Sequence, residues 1–237
     1  MTRIPSGTPP APPGPRPGSA ASFQPTRDDL TSLFRLALPV AVVQVGMLLM
    51  GAVDTIMVGR VSPVDLAAVA LGNLYYFGVT VFGMGVLFAL DPVVAQAVGA
   101  ADEVAVARGV QRGVILSAVL ALLATLLLVP AAPVLAFLRQ PPEVVPVAAG
   151  YALASIPGVF PFYAFIVLRQ SLQAMGRVGP IVLTVALANV LNAFFNWILI
   201  FGNLGAPPLG AVGTGWASSL SRWCMMLILL GLAWPLL

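Results

Sequence analysis

Long apolar stretches separated by short polar punctuation dominate this chain. Six segments reach the roughly 20 predominantly apolar residues that a helix needs to cross a hydrocarbon layer about 30 Å thick. They run roughly from Leu33 to Val58, Leu66 to Leu90, Val110 to Ala132, Val144 to Leu168, Ile181 to Phe201 and Ala211 to Leu237. The connections RVSPVD, QAVGAADEVAVARG, LRQPPEVVP, RQSLQAMGRVGP and GNLGAPPLG gather Pro and Gly, the residues that end helices. The pattern predicts an all-α membrane protein, a six-transmembrane-helix bundle over residues 30–237. Ahead of it, residues 1–29 hold eight prolines with scattered Gly, Ser and Arg and no apolar run. They are expected to form a disordered Pro-rich cytoplasmic tail, since a signal peptide needs an apolar core. Pro92 at the end of the second segment and Pro157 and Pro161 within the fourth each remove a backbone donor and predict bends.

Composition sharpens this picture. The chain is 59% hydrophobic and 8% charged, whereas soluble domains carry about 25% charge. Every basic residue is an Arg. A cytoplasmic N-terminus in the cell inner membrane puts Arg3, Arg16, Arg27, Arg35, Arg108, Arg112, Arg169 and Arg177 inside and only Arg60 and Arg139 outside, as the positive-inside rule requires. The net charge of +3 follows that topology and gives no reason to expect nucleic acid as a partner. With no His and a single Cys, Cys224, disulfide frameworks, zinc sites and Cys–His nucleophiles are excluded by inventory. No catalytic constellation is evident, so the chain is not expected to be an enzyme or to carry a cofactor. A Walker-type phosphate loop is also lacking, so any pumping must draw on an ion gradient.

The informative residues are the polar ones at membrane depth. Asp54, in GAVDTIMVG, follows more than a dozen apolar or small residues in the first span. An Asp at a helix centre costs about 2.5 to 3.5 kcal/mol on insertion scales, so such a carboxylate must pair, bind a cation or take up a proton. In the fifth span Asn189, Asn192 and Asn196 stand at i, i+3 and i+7, along one face. Their amide oxygens are hard ligands suited to a cation such as Na⁺. Asn192 and Asn196 are assigned with Asp54 to a cation-coupling site, and Asn189 to interhelical hydrogen bonding. Arg222, in SSLSRW of the last span, either neutralises a buried acid or extends its guanidinium into a wet cleft. Met47 and Met50 share a face with Asp54 and, with Tyr76, are candidates for a greasy substrate cavity, because thioethers adapt to varied ligands. Met57, Tyr75, Phe77 and Phe82 belong to the same apolar set.

Five ordered motifs resemble the multidrug and toxic compound extrusion (MATE) family. They are LALPVAVVQVGMLLMGAVDTIMVGR with LAAVALGN, then GMGVLFALDPVVAQAVGA, LRQPPEVV, LRQSLQAMGRVGP and NAFFNWILIFGNLGAPPLGAVGTGWASSLSRW. The likeness spans Leu36 to about Trp223, with gaps only in the third span. It implies a secondary active antiporter that exports small organic cations and drugs in exchange for Na⁺ or H⁺. Asp54 falls at the acidic position that binds the coupling ion, and Asn192 and Asn196 at positions that assist it. Family members carry two six-helix lobes with the substrate cleft between them. The resemblance therefore makes this chain one lobe of a twelve-helix exporter, expected to be a truncated half with the second lobe absent, the alternative being two copies paired as a homodimer. The competing readings are a lipid-linked oligosaccharide flippase of the same superfamily and a non-transporting fragment or subunit.

Overall fold

The structure, a computed structural model, describes residues 27–234, with side chains from Ala37 onward. Most of the Pro-rich segment therefore lies outside the described residues. The bundle lies within one compact unit that begins at Pro39.

The described residues are helical, without strands, as an apolar chain in lipid requires: helices satisfy every backbone group within one segment. In chain order they are α1 (Arg27–Val58), α2 (Pro63–Phe88), α3 (Leu90–Gly99), α4 (Glu103–Leu128), α5 (Ala131–Phe137), α6 (Val145–Ser155), α7 (Val159–Ala174), α8 (Gly179–Phe201) and α9 (Gly210–Ala233). Six helical stretches are long and apolar enough to cross a membrane, α2 with α3 and α6 with α7 each counting as one. The chain is a multi-pass membrane protein, with six spans among its described residues.

The differences from the predicted boundaries have local causes. The third span begins at Glu103 rather than Val110, because the Asp102 carboxylate caps it by accepting from Ala105 N at 2.9 Å. It ends at Leu128, and Pro130 starts the separate short helix α5. The first helix begins at Arg27 rather than Leu33. Helix α7 runs to Ala174, so Arg169 lies within it, buried and donating to Gln44 Oε1 at 3.2 Å, rather than in the connection. Pro92 falls in the first turn of α3, where its missing donor is tolerated.

The fourth span breaks as predicted, at a 3₁₀ turn over Ile156–Gly158. Pro161 has no N–H to offer the carbonyl of Pro157 one turn earlier. Trp223 Nε1, from α9, donates to that carbonyl at 2.9 Å, and Ser219 Oγ donates to Ala154 O at 2.7 Å. Polar groups of a neighbouring helix thus absorb the kink. Helix α7 is the buried axis of the bundle: Tyr163, Phe165, Ile166 and Leu172 are almost fully enclosed, and Tyr163 donates to Thr80 O of α2 at 2.9 Å. Helix α9 packs against α6, α7 and α8, and α4 against α7.

One clamp sets the entry of α9. Ser62 caps α2 by accepting from Asp65 N at 2.9 Å, and its hydroxyl donates to Asp65 Oδ2 at 2.5 Å. The other Asp65 oxygen accepts from Ala211 N at 2.9 Å, at the start of α9. Asp65→Ala keeps the backbone donor that Ser62 caps but leaves Ala211 N and the Ser62 hydroxyl without their acceptor, and is expected to lower stability by about 1 to 2 kcal/mol, read as a drop in the thermal unfolding midpoint in detergent. An unchanged midpoint would show that the clamp is idle.

Candidate functional site

Asp54 lies one turn from the end of α1 and is 7% exposed; Asn192 and Asn196 of α8 are fully buried. The structure brings the three together. Asn196 Nδ2 donates to Asp54 Oδ1 at 2.5 Å and to Asn192 Oδ1 at 3.2 Å. The i, i+4 spacing on α8 makes this possible, since residues four apart stand one above the other. The second carboxylate oxygen accepts from Ser218 Oγ of α9 at 2.9 Å. Three helices therefore converge on one carboxylate.

Ser218 is the member that the sequence reading missed. Serines in this bundle mostly bond back to the carbonyl four residues earlier, as Ser117, Ser155, Ser171 and Ser221 do. Ser218 instead reaches across to α1, and nothing in its local sequence distinguishes it from its neighbours Ser219 and Ser221.

Hydrogen-bonding capacity remains at the site. Asn192 Nδ2, Asn196 Oδ1 and the hydroxyl of Thr214, one turn before Ser218 on α9, are buried without a hydrogen-bond partner among the described residues. Buried polar atoms left unpaired cost about 1 to 3 kcal/mol each, so two of them on the asparagines joined to one carboxylate point to a role other than packing. A half-turn of the Asn196 amide exchanges its nitrogen for its oxygen, so the same side chain can either donate to Asp54 or join it in facing a cation.

Asn189 does what its position predicted: its Nδ2 donates to Gly46 O of α1 at 2.9 Å and to Val185 O at 2.8 Å, tying α8 to α1. Beside Asp54 opens a cavity of about 560 Å³. Met47 and Met50 line it, together with Phe77, Met84, Phe162 and Met225. Tyr76 is placed differently: it is buried behind the wall, its ring beneath the guanidinium of Arg222 at 4.4 Å. Phe82 faces outward, and the Tyr75 hydroxyl donates to Leu127 O. Arg222 lines the cavity, its nearest partners being aromatic rings.

Comparison with known proteins agrees with this architecture. The MatE family model matches residues 39–198. Multidrug resistance protein NorM of Vibrio parahaemolyticus is 36% identical over 208 residues, covering 86% of this chain and 45% of that protein. Probable multidrug resistance protein NorM of Bacillus subtilis is 32% identical over 207 residues, covering 86% and 46%. Among solved structures, a MATE protein crystallised in complex with MaD3S superposes with a TM-score of 0.74 at 25% identity, covering 86% of this chain and 45% of that one. The eukaryotic MATE transporter AtDTX14 superposes with a TM-score of 0.77 at 23% identity over 87% of this chain and 45% of its own, a likeness of fold. The chain spans about half the length of the curated relatives it matches.

Proposed function

Because this chain belongs to the MatE family, we propose that it forms one six-helix lobe of a secondary antiporter that exports organic cations and drugs in exchange for Na⁺ or H⁺. The observation that carries this reading is the buried Asp54 carboxylate, met by Asn196 and Ser218 and opening onto a methionine-lined cavity. The relatives named as multidrug resistance proteins support the substrate class. The lobe sits in the inner membrane with its N-terminus in the cytoplasm, the orientation that leaves most Arg residues inside.

The chemistry is competition for one carboxylate. A cationic drug in the cavity is attracted by the Asp54 charge across a low-dielectric wall. Na⁺ held by Asp54, Asn192 and Asn196, or a proton on Asp54, removes that charge and releases the drug. Exchange follows if the ion prefers one state of the transporter over the other, since an ion bound equally to both shifts nothing.

The test is displacement. The purified chain in lipid nanodiscs is loaded with the fluorescent cation rhodamine 123, and its anisotropy is followed while NaCl replaces choline chloride at constant ionic strength, and separately while pH falls. Release by one of the two ions is expected and identifies it. Retention of the dye under both titrations rejects coupling at this site. In the same assay Asn196→Ala is expected to raise the ion concentration for half-release about tenfold, the effect of losing one polar ligand worth about 1.4 kcal/mol. An unshifted curve would remove Asn196 from the site.

A further inference from the structure

The last span carries a charge that cation exchange does not use. Arg222 stands four residues beyond Ser218 on α9, on the same face of the helix. Its guanidinium carbon lies 4.4 Å from the centroid of the Tyr76 ring and 5.3 Å from that of Phe162. Two aromatic faces hold the cation electrostatically, and aromatic faces leave its in-plane N–H donors free. Indeed Nη1 is buried with no hydrogen-bond partner among the described residues, and so is the neighbouring Tyr76 hydroxyl. The nearby acid does not supply the acceptor: among the described residues the Asp54 carboxylate accepts from Asn196 and Ser218, and Nη1 makes no bond to it.

Asp54 and Arg222 nonetheless line one cavity, with Met47, Met50, Phe77 and Met84 as apolar wall. A space of about 560 Å³ accommodates a fused aromatic ring system with two substituents. A carboxylate entering such a site loses its water and is admitted only where a donor set replaces it. A planar guanidinium with unused donors is the side chain best matched to that group.

We propose that Arg222 is a carboxylate-binding subsite of this cavity, which thereby accepts zwitterionic aromatic amphiphiles with the cationic end toward Asp54 and the carboxylate toward Arg222. The proposal rests on the drug-cavity reading above and names a substrate class within it. Arg222 acts here as a specificity residue and the coupling ion still answers to Asp54.

Rhodamine 110 and rhodamine 123 test this directly, since they share one ring system and differ in a free carboxylate against its methyl ester. Equilibrium binding of both dyes to the chain in nanodiscs is measured by anisotropy at neutral pH. Wild-type protein is expected to bind the acid about tenfold tighter than the ester, the range of one charge-assisted contact. Arg222→Gln is expected to bring the acid-to-ester affinity ratio from about ten to about one, and Arg222→Lys to keep part of the preference. Equal weakening of both dyes by Arg222→Gln, or no preference for the acid in wild type, overturns the subsite. The wild-type comparison decides the matter even if the variants fail to fold. Binding of neither dye to wild type rejects the drug cavity itself, whereas binding of the ester without preference for the acid rejects the subsite alone.

Discussion

Asp54→Asn is expected to abolish ion-driven release of rhodamine 123 while leaving the fold intact. The substitution keeps the shape of the side chain and removes its charge. Asn196 Nδ2 can still donate to the Oδ1 of the new amide, as it does to Asp54. Ser218, which donates to Oδ2, need only rotate its hydroxyl to accept from the new amide nitrogen. Packing is therefore preserved, and the variant no longer places a carboxylate among apolar helices, so its thermal midpoint should match or exceed that of wild type. Function moves the other way. An amide neither takes up a proton in this range nor offers Na⁺ a formal charge, so the response to either ion should fall by more than about tenfold. A variant that releases dye normally on adding the ion would move the coupling site away from Asp54. One that unfolds would show the charge to be structural.

Gly213→Ala carries the largest expected loss of stability. A Cβ at Gly213 would fall against the backbone of α8, within 2.7 Å of Leu199 C and 3.1 Å of Ile200 N, and closer still to Leu199 O. That carbonyl also accepts from Leu209 N at 2.9 Å, so it has little freedom to move. Backbone cannot swing aside as a side chain can, and α9 must shift away from α8. Overpacking of this kind costs about 3 kcal/mol. The shift also separates Ser218 from the two asparagines, so ion response and thermal midpoint should fall together. Gly231 is the control on the same helix: nothing lies within 4 Å of a Cβ there. Gly231→Ala is expected to be neutral or slightly stabilising, because Ala is the better helix former. Equal midpoints for the two variants would mean that α8 and α9 are less closely apposed than these distances require.

The six spans were legible in the sequence because helix formation in lipid is a local matter: length and apolar content decide it, residue by residue. The break at Pro157 and the shared face of Asn192 and Asn196 were legible for the same reason, since a missing N–H and an i, i+4 spacing are local facts. Asp54 betrayed itself by cost, as a carboxylate among apolar neighbours. Helices α3 and α5 were not foreseen, because a helix that bends and one that stops and restarts have nearly the same composition. Which groups face Asp54 was decided only by the tertiary structure. Asn196 and Ser218 lie 142 and 164 residues from it along the chain, and their meeting depends on the rotation and depth at which α1, α8 and α9 pack. Arg222 was visible as an anomaly, yet its seat over Tyr76 and Phe162 depends on how α2, α7 and α9 are placed. Local rules set what each helix is. The contacts between helices, where one-residue changes in register turn a side chain by about 100°, set what the carboxylate and the guanidinium can do.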